Sequence, residues 1–165
     1  MASANRVRSV SDLTLLARFC QSRGWLEVAA TNYDDAIKLN PSDATLRFEA
    51  GQSLAALGRH AAATQCYAEA VQLSPDWAQA HFLRGLELGR SGQTTEATGE
   101  FREAARLMPE LIEARLNLGI ALSKQGQLAE ALEEFQFVTQ RSPTNALALQ
   151  YIEALHRKMA ADPAR

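Results

Sequence analysis

The side chains able to do acid–base or nucleophilic chemistry are few in this chain and lie far apart. The histidines are His60, His81 and His156, and the cysteines are Cys20 and Cys66. Catalysis by such groups needs a base within hydrogen-bond reach of its partner, and no local motif places a histidine beside a nucleophile. The two cysteines have neither a zinc-binding spacing nor that of a disulfide framework. The sequence therefore predicts that the protein is not an enzyme and holds no metal.

No motif for a cofactor is found either. Every glycine is isolated or part of a regular spacing, so there is no glycine-rich loop to hold a phosphate group. The paired acids at 34–35 and 133–134 are interpreted as solvated helix faces. We expect no cofactor.

Composition and charge exclude further classes. The formal net charge of −2 is not that of a dedicated nucleic-acid binder. Aromatic residues make up 7%, which disfavours a β-rich fold, and 47% hydrophobic residues disfavour global disorder. The longest uncharged stretch, 142–152, is too short to cross a membrane, and the first residues do not form a secretory signal. We expect a cytoplasmic protein without membrane insertion. The alternative is that a targeting or membrane segment has been lost from the chain.

Helix-breaking residues recur with one period of 34 residues. Four of the 5 prolines and seven of the 9 glycines follow it. The three sets are Pro41, Pro75, Pro109 and Pro143; Gly24, Gly58, Gly92 and Gly126; and Gly51, Gly85 and Gly119. Such a period is the signature of a repeat architecture.

Each repeat is predicted to be a pair of antiparallel helices. The first glycine set falls between two helical patterns, where a left-handed residue ends a helix. The last set falls inside a helix, which indicates close approach of a second helix, and small alanines are the expected facing partners. The predicted first helices are 11–23, 44–57, 78–91 and 112–125; the second helices are 26–39, 60–73, 94–107 and 128–141; the expected facing alanines are Ala29, Ala63, Ala97 and Ala131.

The repeat resembles the tetratricopeptide repeat (TPR). In the fourth repeat the matching residues are Leu118, Gly119, Leu122, Gly126, Ala131, Phe135 and Pro143; in the second they are Gly51, Leu54, Gly58, Ala63, Tyr67, Ala70 and Pro75. The resemblance implies an all-α fold, a right-handed α-solenoid of antiparallel helix pairs. We expect a single solenoid domain over 10–159, with repeats at 10–43, 44–77, 78–111 and 112–145.

The two ends of the solenoid are expected to differ. A capping helix is predicted at 146–159, because Glu153 and His156 are polar where other repeats are apolar. Residues 160–165 are predicted to be a tail and residues 1–9 a disordered or frayed terminus. The first hairpin lacks a cap, so Leu13 and Leu16 are either exposed or covered by an upstream segment or a second copy.

The resemblance implies a concave surface that receives a segment of another protein. Apolar residues on this surface lie beside basic residues, and this combination predicts an amphipathic helix or peptide with acidic flanks as the ligand. The candidate partner-binding residues are Phe48, Gln52, Phe82, Leu83, Leu86, Arg90, Leu116, Asn117, Ile120, Lys124 and Tyr151. Alternatively, Phe48 and Phe82 pack between repeats as core. Arg84 stands where a leucine is expected, and we interpret it as extending its charged end to solvent or pairing with a carboxylate or, alternatively, as a ligand contact.

These observations predict a non-catalytic protein–protein interaction module. Some members of this family hold the C-terminal carboxylate of chaperones with a clamp of Lys, Asn and Arg, and that clamp is not matched here. The alternatives are a regulatory or substrate-presenting domain of a larger enzyme or membrane-anchored assembly protein, and a self-associating oligomer that uses the uncapped first hairpin.

Overall fold

The computed structural model describes residues 8–161, and the regular secondary structure in that range is entirely α-helical. The helices are α1 (Val10–Ser22), α2 (Leu26–Leu39), α3 (Ala44–Ala56), α4 (His60–Leu73), α5 (Ala78–Arg90), α6 (Thr94–Leu107), α7 (Ile112–Lys124), α8 (Leu128–Arg141) and α9 (Ala146–Ala161). All begin and end within two residues of their predicted bounds, so the predicted all-α class is confirmed. None of these helices is long and apolar enough to cross a membrane.

The helices belong to two compact units, Met1–Asp76 and Trp77–Arg165. In the first unit, α1 pairs with α2 and α3 with α4, and α2 packs against α3. In the second unit, α5 pairs with α6 and α7 with α8, while α6 packs against α7 and α8 against α9. Each unit thus buries its core between successive helices, as expected for stacked repeats.

The glycine between the helices of each pair ends the first helix in the predicted way. After α1, Gly24 has φ of 76°. The Trp25 N–H donates to the Cys20 carbonyl at 2.9 Å and the Gly24 N–H to the Gln21 carbonyl at 3.0 Å. These two bonds form a Schellman motif, which satisfies carbonyls at the end of α1. Gly58, Gly92 and Gly126 have φ of 75–79°, so the left-handed conformation predicted for this set is confirmed.

The second glycine set lies against aromatic rings. A Cβ at Gly85 would lie 2.7 Å from Phe101 Cε1, and one at Gly51 would lie equally close to Tyr67 Cε1. The glycine is therefore required because the ring of the paired helix occupies the space of a side chain. The closest approach to these glycines is therefore made by the aromatic rings and not by the predicted alanines, which lie four residues earlier on the paired helix.

The predicted ends need small corrections. Ser9, placed in the frayed terminus, caps α1, because its hydroxyl accepts from the Asp12 N–H at 3.1 Å and Asp12 accepts from the Ser9 N–H in return. Helix α9 continues to Ala161, two residues into the predicted tail. Leu13 is buried and Leu16 half-buried in a core shared with α2 and α3, so Leu13 is neither exposed nor left for an upstream segment or a second copy to cover. The predictions for residues 1–7 and 162–165 lie outside the described residues.

Candidate functional site

The second unit contains a cavity that brings together five of the eleven predicted binding residues. The cavity has a volume of about 210 Å³ and lies among α5, α6 and α7. The predicted residues in its lining are Leu86, Arg90, Asn117, Ile120 and Lys124. The remaining lining residues are Gly89, Thr94, Ala97, Phe101 and Ala121.

The inner lining of the cavity is apolar. Ala97, Phe101 and Ala121 are buried members of the core of the second unit. Leu86 and Ile120 are half-buried and pack against the same core. A side chain that entered the cavity would therefore exchange water for hydrocarbon, which favours an apolar group.

Two cations also line the cavity. Arg90 and Lys124 are exposed and end the helices α5 and α7. Arg90 Nη1 donates to Glu87 Oε1 at 2.6 Å, so a buried carboxylate partly offsets its charge. Lys124 has no ion pair with any residue in the described range. The cavity thus combines apolar walls with a positive charge that a ligand could neutralise.

Three other predicted residues are half-buried and structural. Phe82 and Leu116 pack against the core, and the Phe82 ring centroid lies 6.1 Å from that of Phe101. Tyr151 stacks on Phe135 at 4.8 Å with an interplanar angle of 11°. Replacing any of them would disturb the core as well as a bound ligand, so they are poor choices for testing binding.

Phe48 differs from the prediction most clearly. It is only 8% exposed, and its ring centroid lies 5.8 Å from that of Tyr67 in the paired helix. It is therefore core, as its alternative interpretation held, but this ring contact lies within its own repeat and not between repeats. Gln52 and Leu83 are half-buried and do not line the cavity.

Arg84 is paired with a carboxylate, as its main interpretation predicted. Arg84 Nη1 donates to Glu100 Oε1 at 2.7 Å, and His81 Nδ1 lies 2.7 Å from Glu100 Oε2. One repeat later, Arg115 contacts Glu134 at 3.0 Å, at the places of His81 and Glu100. Because an arginine makes the corresponding contact in the next repeat, we interpret the His81–Glu100 contact as a link between two paired helices that does not depend on the acid–base properties of histidine.

Sequence reasoning missed the part of the site that α6 supplies. Thr94, Ala97 and Phe101 are not among the candidate residues, because the concave surface that the TPR resemblance implies is lined by the first helices of the repeats. One signal was present in the sequence. Gly89 falls outside the 34-residue glycine sets, and the other repeats have Gln21, Ala55 and Ser123 at its place. The missing side chain helps to open the cavity.

The repeat signature extends over most of the chain. The model of the tetratricopeptide repeat family matches residues 22–78 and 82–157. The chain belongs to the tetratricopeptide repeat family. No curated protein sequence matches it significantly.

Solved structures share the fold of this TPR protein. A crystal structure of MamA has a TM-score of 0.86 at 18% identity, covering 90% of this chain and 81% of MamA. YrrB, described as a TPR protein with an unusual peptide-binding site, has a TM-score of 0.85 at 25% identity, covering 95% of this chain and 79% of its own. The first TPR domain of Spaghetti (RPAP3), bound to the HSP90 peptide SRMEEVD, has a TM-score of 0.67 at 20% identity, covering 71% and 93%. The predicted family and solenoid fold class are thereby confirmed.

Proposed function

We propose that this TPR protein is a non-catalytic interaction module and that the cavity among α5, α6 and α7 holds an apolar side chain of a partner protein. The observation that carries the proposal is that Leu86, Ile120 and Lys124 line the same cavity. The partner segment is a peptide or an amphipathic helix with an acidic residue close to its apolar anchor.

The size of the cavity suits a single side chain. Its volume is about 210 Å³, whereas pockets for small molecules and cofactors usually measure about 300–1,000 Å³. An apolar cavity of about 150 Å³ is large enough for benzene. A leucine, methionine or phenylalanine of the partner therefore fits better than a free cofactor.

The charges at the opening favour an acidic flank. Lys124 is exposed and unpaired within the described residues, and Arg90 shares its charge with Glu87. A carboxylate beside the anchor would gain attraction mainly from Lys124. Because this charge is exposed to solvent, salt would screen the attraction, and the apolar part of the binding would persist.

Known structures support peptide binding in this family. The RPAP3 domain is bound to a peptide containing apolar and acidic residues, and YrrB has an unusual peptide-binding site. The chaperone-type clamp is not supported for this chain, because Arg18, at one of the inward-facing places where the resemblance would put a clamp residue, pairs with Glu49 at 2.7 Å. The alternative role inside a larger enzyme and the cytoplasmic location stay predictions.

A display library of random peptides tests the proposal directly. We expect enriched peptides to carry a large apolar residue within a few positions of Asp or Glu. Gly89→Gln should abolish their binding, because the new side chain would fill the cavity without removing any lining group. Gly99→Gln is the matched control, because Gly99 is exposed in α6 with no atom within 4 Å of its Cβ position. Equal binding by both variants would contradict the proposal.

The charge component is tested by a second pair of variants. Lys124→Glu should weaken binding of the same peptides about tenfold at low salt, since it replaces an attraction by a repulsion. Lys158→Glu makes the same charge change on α9, away from the cavity, and should have little effect. If Lys158→Glu weakens binding as much, the acidic flank does not lie at the cavity.

A further inference from the structure

The first hairpin exposes two aromatic side chains whose places in the later hairpins hold no aromatic residue. Phe19 is 48% exposed and Trp25 is 56% exposed, and their rings meet edge to face at 6.0 Å. The places of Trp25 in the later repeats hold the polar and exposed residues Arg59, Gln93 and Gln127. This difference between repeats of one chain indicates a surface with a partner, since contiguous exposed apolar surface usually marks an interaction site.

The place of Phe19 is buried elsewhere in the chain. Its equivalents Ser53 and Ala121 are buried in α3 and α7, and each of those helices packs against the helix before it. In α1 the same place is occupied by a larger and more apolar residue that remains exposed. A helix packed on α1 would bury Phe19 in the way that helix packing buries its equivalents.

One face of α1 has a self-complementary pattern, in which Asp12, Phe19 and Arg23 are exposed and Leu16 is half-buried, with part of its side chain packed on the core of the first unit. Asp12, Leu16, Phe19 and Arg23 follow one another at intervals of four, three and four residues, so they form one stripe along the helix. The stripe is acidic at its start, apolar in its middle and basic at its end. The guanidinium of Arg23 lies 5.4 Å from the centroid of Phe19, which places both groups on one face.

An antiparallel copy of the same stripe matches it at every position. In an antiparallel pair related by a two-fold axis, paired residue numbers have a constant sum. A sum of 35 brings Asp12 opposite Arg23 of the second copy and Leu16 opposite Phe19 of the second copy. Each contact then occurs twice, as in any isologous interface.

We infer that this protein forms a homodimer through α1, with the two α1 helices antiparallel about a two-fold axis. Leu16 and Phe19 form the apolar centre, and Asp12 with Arg23 fixes the register. Trp25, beside Phe19, extends the apolar contact onto the start of α2. The interface lies in the first unit and uses none of the residues that line the cavity.

Sedimentation velocity over a range of protein concentrations tests the dimer. The full chain should change from monomer to dimer as its concentration rises. Phe19→Glu should remain monomeric, because it puts a charge at the apolar centre while keeping the Ser9–Asp12 cap. Leu73→Glu, at an exposed leucine of α4, and Gly89→Gln, in the cavity, should dimerise like the natural chain. A chain that stays monomeric at every concentration would overturn the inference and leave this face to another partner.

The register is tested by exchanging the two charges. Arg23→Glu places two acidic groups opposite one another at both ends of the interface, and Asp12→Arg places two basic groups there. Each variant alone should dimerise at least about tenfold more weakly than the natural chain. An equal mixture of the two should recover dimerisation, because both charge pairs are then opposite in sign.

The mixture distinguishes this interface from other self-association. If the mixture stays as weakly associated as the two variants alone, while both keep their helical circular dichroism, the antiparallel register is wrong. Asp12→Arg also removes a capping contact, so Arg23→Glu, which leaves that cap intact, provides an independent measurement. Arg23→Glu that dimerises as tightly as the natural chain would likewise overturn the register.

Discussion

The contact between Gly85 and Phe101 predicts opposite effects for two glycine-to-alanine substitutions in one helix. At Gly85 a Cβ would lie 2.7 and 2.8 Å from two ring atoms of Phe101, a ring that is almost wholly buried. At Gly89, four residues later in α5, a Cβ would lie at an ordinary van der Waals distance of 3.9 Å from Ala97 Cβ. Both substitutions gain the same helix propensity, so their difference isolates the contact with the ring.

The magnitudes follow from the two environments. Alanine in place of glycine inside a helix gains about 1 kcal/mol. Overpacking a buried site costs about 1–3 kcal/mol, and two contacts below 3 Å against a confined ring favour the upper part of that range. We therefore expect Gly85→Ala to lower the free energy of unfolding by about 1–2 kcal/mol, whereas Gly89→Ala raises it by up to about 1 kcal/mol.

Urea denaturation followed by circular dichroism at 222 nm measures both variants. A further variant, Phe101→Leu, checks the cause by shortening the ring side. In that background Gly85→Ala should cost at least about 1 kcal/mol less, a coupling expected only for residues in contact. If Gly85→Ala stabilises the protein as much as Gly89→Ala does, the close packing of the paired helices is wrong.

Two further predictions concern titratable groups. Glu100→Gln weakens the contacts to both His81 and Arg84 and should lower the free energy of unfolding by about 1–3 kcal/mol in urea denaturation. Glu103→Gln loses an exposed pair with Arg106 and should lower it by less than about 1 kcal/mol. Equal effects of the two substitutions would contradict the stabilising role of the Glu100 contacts. Burial raises the pKa of the Cys66 thiol from 9.0 to about 11, and burial likewise raises the pKa of Tyr33. The unfolded chain then loses these protons first, so the free energy of unfolding should fall as pH rises from about 9 to about 11, and Cys66→Ala should make that fall smaller; an unchanged slope in the variant would refute the assignment to Cys66.

The helices and their ends were predictable because their signals are local. Gly24 and its equivalents need a left-handed backbone, and the prolines cannot continue a helix, so residue type alone sets the boundaries. The N-termini of the helices vary more between repeats. Asp43 caps α3 by accepting from the Thr45 and Leu46 N–H groups, whereas the residue that precedes α5 is Trp77, whose side chain makes no capping bond.

The site was less predictable because burial depends on neighbours from several helices. Phe48 and Phe82 hold the same place in successive repeats, yet Phe48 is buried and Phe82 is half-buried. The 34-residue period predicts the same role for both residues. The exposed fraction of each depends on the side chains that surround it. The contribution of α6 to the cavity was invisible for the same reason, since it depends on how side chains of three helices meet.

The central claim, that the cavity receives a partner's side chain, is tested most directly by methyl NMR of the full chain during titration with a selected peptide. We expect the largest shifts at Leu86 and Ile120 and smaller changes at Ala97 and Ala121, and we expect Gly89→Gln to remove them. Shifts concentrated at Leu15, Leu16 and Val28 of the first hairpin, with Leu86 and Ile120 unchanged, would contradict the claim.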